Sequence, residues 1–79
     1  MDEQTKLIGE RLRELRADIA MAKGVPFYAV LTNADLTALA ENRPLSAEEA
    51  VKLPGIGERK AKRTLPPFLE EIRNFSEED

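Results

Sequence analysis

The sequence contains no cysteine and no histidine among its 79 residues. Without cysteine the chain can form neither a disulfide framework nor a thiolate metal site, which is compatible with a cytoplasmic protein. Without histidine it also lacks the most frequent general acid–base group and the other common zinc ligand. We therefore expect neither a metal centre nor a cofactor site in this chain.

Long apolar stretches are missing as well. No run approaches the roughly 20 residues that a membrane-spanning helix needs, and no segment resembles a signal peptide. Paired carboxylates are present at 48–49 and 70–71, but consecutive helical positions diverge by about 100° and cannot converge on one atom. The sequence thus predicts a single small domain that is not an enzyme and does not associate with membranes.

The formal net charge of −3 argues at first against a nucleic-acid partner. However, 5 of the 15 acidic residues lie close to the two ends, which we expect to be frayed outside residues 5–75. Without those residues, the chain has 10 acidic and 12 basic groups. Because local fields decide where a polyanion docks, the weakly basic remainder leaves nucleic-acid binding open.

Apolar spacing and capping signals predict an all-α domain of five helices. Residues 5–23 place apolar side chains at steps of four and three on one helical face, and Gly24 and Pro26 end that segment. Thr32 and Ser46 have the spacing of N-caps. The apolar connector 25–31 has no second strand to pair with, so we predict a buried turn or short helical turn. The helices are predicted over 5–23, 34–42, 47–52, 58–64 and 66–74.

Residues 53–63 join a Pro-Gly turn to a basic helix start. Gly55 and Gly57 can adopt positive φ or permit close backbone approach. The next helix is predicted to open near Glu58, so that its first amide groups point outward with partial positive charge. Four cations follow these amides: Arg59, Lys60, Lys62 and Arg63. The arrangement suits a phosphate, and the alternative is a helix corner with a solvated basic face.

Taken in order, the motifs of residues 12–72 resemble the HRDC domain, which is found at the C-terminal ends of RecQ helicases and of RNase D. The form with Tyr28 followed by a Thr-Asn-Ala segment is most similar to the bacterial RecQ domains. Five segments carry the resemblance: Leu12-Arg13-x-x-Arg16-x-x-Ile19-Ala20, Gly24-Val25-Pro26-x-Tyr28-x-Val30, Thr32-Asn33-Ala34-x-Leu36, Arg43-Pro44-x-Ser46 and Pro54-Gly55-Ile56-Gly57-Glu58-x-Lys60.

The resemblance implies a compact five-helix accessory module, non-catalytic and free of cofactors, within a longer RecQ-type DNA helicase. Such a module would bind single-stranded or junction DNA weakly, or contact other domains of the parent helicase. We would expect it to be monomeric and located in the cytoplasm, at the nucleoid. The first alternative is a regulatory docking module with an acidic surface, and the second is an RNA-binding module of the RNase D type. The candidate docking residues are Asp35, Glu41, Glu48 and Glu49.

Two places depart from the family pattern. Phe27 stands where the family usually has a second proline, and Thr64 and Leu65 stand where it usually has an aromatic residue and a glycine. The family's tyrosine falls on Tyr28, whose ring could stack on a base. The alternative is a core aromatic whose hydroxyl reaches a backbone partner. We expect Phe27 to fill the core and Tyr28 to be exposed. The predicted nucleic-acid-binding residues are Tyr28, Gly55, Gly57, Arg59, Lys60, Lys62 and Arg63.

Overall fold

The computed structural model describes residues 2–77, and within that range it contains helices and no strand. The predicted all-α class is confirmed. Six helices are formed where five were predicted, because the connector after the first helix makes a short helix of its own. They are α1 (Glu3–Lys23), α2 (Phe27–Val30), α3 (Asn33–Asn42), α4 (Ala47–Ala50), α5 (Glu58–Arg63) and α6 (Pro66–Glu77).

Helix α1 begins two residues before its predicted start because Asp2 caps it. The Asp2 carboxylate accepts a hydrogen bond from the Thr5 backbone N–H at 2.7 Å, and this hydrogen bond lowers the pKa of Asp2. At the other end, Gly24 adopts the left-handed conformation (φ 69°) predicted for a C-cap. Residues 3 and 4 therefore belong to α1, outside its predicted start, because a carboxylate at the N-cap satisfies an orphan amide.

Helix α6 likewise continues to Glu77, beyond its predicted end at 74. Its apolar face carries Phe68, Leu69, Ile72 and Phe75, as the spacing predicted. Helical structure thus reaches past the predicted ordered range of 5–75 at both ends. The expectations for residues 1, 78 and 79 lie outside the described residues.

A single apolar core holds the helices together. Helix α1 lies against α2, α3 and α6, while α5 lies against α4 and α6. The side chains that are fully buried come from α1, α3, α6 and the segments that join them, so the core is shared between both halves of the chain. These residues are Ile8, Leu12, Leu31, Leu39, Leu65, Phe68 and Ile72. Within residues 2–77, no helix combines the length and apolarity that crossing a membrane requires.

Candidate nucleic-acid interface

The turn that precedes α5 has one position that requires glycine. Gly55 adopts a left-handed conformation with φ 82°, which a residue with a Cβ rarely adopts. Gly57 has φ −87° and serves as the N-cap of α5, and a Cβ at this position would meet no heavy atom within 4 Å. Ile56 between them is buried and fixes the turn to the core. Helix α5 opens at Glu58 without a side-chain cap, as predicted.

Lys60 turns back toward the protein and does not extend into solvent. Its Nζ donates to Asp35 Oδ2 at 3.0 Å and to the Gly55 carbonyl oxygen at 3.2 Å, and the side chain is 33% exposed. Because the ammonium joins α5, the preceding turn and α3, it holds the corner together. These contacts engage the ammonium within the protein, and the role of Lys60 as a phosphate ligand stays a prediction.

Asp35 is buried, with 6% of its surface exposed. It completes a capping box in which its Oδ2 accepts from the Thr32 N–H at 3.2 Å and its own N–H donates to Thr32 Oγ1 at 3.1 Å. The predicted acidic docking surface therefore cannot include Asp35. Its other members, Glu41, Glu48 and Glu49, are exposed, and Glu49 also accepts a hydrogen bond from the Leu45 N–H.

Lys62 is engaged as well, but on the surface. Its Nζ lies 2.7 Å from Glu58 Oε1, one helical turn away. The hydrogen bond and charge of Lys62 lower the pKa of Glu58, and the same pair raises the pKa of Lys62. Since both groups are exposed, this ion pair can open at little cost.

The remaining two cations of α5 differ from Lys60 and Lys62 in their contacts. Among the described residues, no hydrogen bond or ion pair engages the exposed guanidinium groups of Arg59 and Arg63. They are four positions apart and therefore share a face of the helix. Of the four predicted phosphate ligands, these two are available in the structure without breaking another interaction.

Arg63 borders a cleft that also touches α2. The cleft, of about 370 Å³, has Lys23 and Arg63 among its walls together with Ala29 and Val30 of α2. The lining is completed by Ile19, Val25, Thr64 and Pro67. The fold thus brings the C-terminal end of α1, the helix that carries Tyr28 and the basic helix α5 to one place. No local motif of the sequence marks Lys23 as a site residue.

Both aromatic residues of α2 face outward. Tyr28 is 64% exposed, as predicted, and Phe27 is 48% exposed, so the prediction that Phe27 fills the core was wrong. The two rings form an edge-to-face pair with centroids 5.7 Å apart. The short helical turn predicted for this connector is confirmed, although none of the four residues of α2 is itself fully buried. Leu31, immediately after α2, enters the core in its place.

Arg16 is what holds α2 in this position. The residue is only 4% exposed, its Nη1 donates to the Leu31 carbonyl oxygen at 3.0 Å, and its guanidinium lies 4.4 Å from the centroid of the Phe27 ring. Burial, with a smaller contribution from the charge of Arg13, lowers its pKa. Sequence reasoning did not identify Arg16 as a buried residue. A signal was available, because Ile8, Leu12, Arg16 and Ala20 follow each other at steps of four on the buried face.

These features define a small helical domain in which Lys23 and Arg63 line a cleft next to α2, the helix that carries the exposed rings of Phe27 and Tyr28. The family model of the HRDC domain matches residues 8–72, and the chain belongs to the HRDC domain family. Members of this family are non-catalytic accessory domains, generally for nucleic-acid binding, so the chain is not itself an enzyme. The resemblance seen in the sequence is confirmed.

Two curated relatives cover most of the chain. It is 33% identical over 67 residues to the ATP-dependent DNA helicase RecQ of Bacillus subtilis (strain 168), a match spanning 85% of this chain and 11% of the relative. It is 35% identical over 63 residues to the ATP-dependent DNA helicase RecQ of Pasteurella multocida (strain Pm70), spanning 80% of this chain and 10% of the relative. The chain therefore covers about a tenth of the length of these relatives.

Proposed function

We propose that this domain is an accessory DNA-binding module of a RecQ-type helicase, which holds single-stranded or structured DNA near the motor and so helps to target or regulate unwinding. The observation that carries the proposal is the cleft between α1, α2 and α5. Its walls combine Arg63 with Lys23, and the helix on its edge presents Tyr28 to solvent. Both of these relatives are named as DNA helicases. A role in DNA repair and recombination at the nucleoid belongs to the same proposal.

The cleft offers the two kinds of contact that single strands require. Arg63 and Lys23 can bind phosphates, and Arg59, one turn before Arg63, can extend that basic track. Stacking on an aromatic ring contributes about 1–3 kcal/mol per base without requiring a particular sequence. Because the chain as a whole carries a net charge of −3, we expect weak binding that falls steeply with salt.

Titration of a fluorescently labelled single-stranded oligonucleotide over a series of salt concentrations tests the proposal. Arg63→Ala and Lys23→Ala should each weaken binding for every base sequence and flatten the slope of log K against log salt by roughly 0.7. Lys6→Ala is the matched control, because Lys6 is exposed and lies about 25 Å from Lys23 along α1. Equal slopes in all four proteins would contradict the proposed interface.

The docking alternative makes the opposite prediction. A module that contacts a basic surface of its parent helicase through Glu41, Glu48 and Glu49 would bind neither single-stranded nor duplex DNA at low salt. An RNase D-type module would instead prefer RNA, so the titration includes an RNA strand of the same sequence. Single-stranded DNA bound more tightly than RNA would support the helicase module over both alternatives.

A further inference from the structure

Helix α2 presents a second ring beside Tyr28. Phe27 is a large apolar side chain with about half of its surface in water, and it lies on the short helix whose Ala29 and Val30 line the cleft. A half-exposed phenylalanine adds little to the core. Next to α2 it is the buried side chain of Leu31 that packs into the core. The exposed half of the ring is therefore free to contact a ligand.

The ring of Phe27 is held in place from the protein side. The Arg16 guanidinium, which is itself buried, covers the side of the ring that faces α1. The hydrogen bond from Arg16 to the Leu31 carbonyl fixes the guanidinium at the end of α2. A planar cation stacked on one side and the edge-to-face contact with Tyr28 restrict the ring's motion. Because the ring is already held in place, little conformational entropy is lost when a base stacks on it, and binding is tighter than to a mobile ring.

We propose that Phe27 is a stacking position for an unpaired base, next to Tyr28, with Arg16 as the positioning residue that holds its ring. Two adjacent rings on α2, whose last two residues line the cleft, would let consecutive nucleotides place bases on α2 and phosphates toward Lys23 and Arg63. This inference rests on the proposed function and adds to it the residue that receives the second base. The ligand class is a single-stranded nucleic acid with unstacked bases.

The test compares variants of Phe27 in the oligonucleotide titration. Phe27→Leu keeps an apolar side chain but removes the ring, and it should weaken single-strand binding about fivefold or more while the salt slope stays unchanged. Phe27→Trp should bind at least as tightly as the parent. Leu45→Ala is the matched control, since Leu45 is also a half-exposed apolar residue but lines a different groove. Circular dichroism melts establish that each variant is folded.

Arg16 is tested by a spectroscopic readout that loss of stability alone would not reproduce. Tyr28 is the only tyrosine and the chain has no tryptophan, so intrinsic fluorescence reports on the α2 surface alone. Oligonucleotide should quench this emission in the parent. In folded Arg16→Lys, which keeps the charge but not the planar stack, quenching should require several-fold more oligonucleotide.

The outcomes separate this inference from the function on which it rests. If the parent protein binds no strand, both are overturned. If the parent binds and Arg63→Ala weakens it, but Phe27→Leu binds like the parent, only the stacking position is overturned. A Phe27→Leu effect that changes the salt slope would also overturn it, because stacking releases no counterions.

Discussion

At the scale of single residues, the structure divides four similar cations into different roles. Lys60 serves the fold through a buried carboxylate, Lys62 pairs with its own helix, and Arg59 and Arg63 remain available. Arginine suits the available positions because its planar fork matches phosphate oxygens. A basic cluster that looks uniform in the sequence therefore contains one structural lysine.

The role of Lys60 can be tested by removing its charge. Lys60→Met would leave the carboxylate of Asp35 buried without its cation, and we expect the free energy of unfolding to fall by about 1–3 kcal/mol. The salt slope of DNA binding should not change, in contrast to Arg63→Ala. Urea unfolding measures the first effect.

Two further variants serve as controls for Lys60. Lys62→Met breaks only an exposed pair and should leave stability nearly unchanged. Adding Asp35→Asn to Lys60→Met should recover part of the lost stability, because the uncompensated charge is gone. If Lys60→Met is as stable as the parent but flattens the salt slope, Lys60 is a phosphate ligand after all.

At the scale of elements, short-range signals set where helices begin and end. The N-caps Thr32 and Ser46 and the C-cap Gly24 were all identified from the sequence, and the structure has each of them. Asp2 was missed because acidic residues near a terminus were treated as a frayed tail. The N-cap spacing from Asp2 to Thr5 is the same as that from Ser46 to Glu49.

Capping by Asp2 makes the stability of α1 sensitive to acid. Since folding lowers the pKa of Asp2, its contribution to stability is present above the ordinary value of 3.8 and is lost as the pH falls through the lower folded-state value. Asp2→Asn keeps a capping oxygen that does not titrate. We expect thermal melts of the parent to lose more stability than Asp2→Asn on acidification below this value, and Asp2→Ala to melt at a lower temperature at neutral pH. If the parent and Asp2→Asn lose the same thermal stability on acidification, the Asp2 cap is not the origin of the acid sensitivity.

At the scale of the whole molecule, one small core supports the interface. A domain of this length has a stability of about 4–12 kcal/mol, so the loss of one large core side chain is a substantial fraction of the total. Phe68 is fully buried in α6, one residue after Pro67 of the cleft wall. The interface and the core therefore depend on the same helix.

Replacing Phe68 should affect folding and binding together. We expect Phe68→Ala to lower the free energy of unfolding by about 3–5 kcal/mol, through lost transfer energy and the cavity left behind. Phe68→Leu should cost less because more of the volume stays filled. Denaturant midpoints measure both changes. A Phe68→Ala protein as stable as the parent would mean that the core is not centred on this residue.

The sequence by itself determined the helical class, the boundaries of most helices, the glycine turn before α5 and the family. These depend on interactions between residues a few positions apart, and such interactions are fixed by spacing and side-chain type. The packing of helices decided the rest. Arg16 and Leu31 are 15 positions apart and Asp35 and Lys60 are 25, so no local pattern pairs them. The cleft joins residues 19–30 to residues 63–67. Which side chain becomes buried, paired or available there depends on how the helices cross, because burying a polar group without a partner is costly and the crossing decides which partners are within reach.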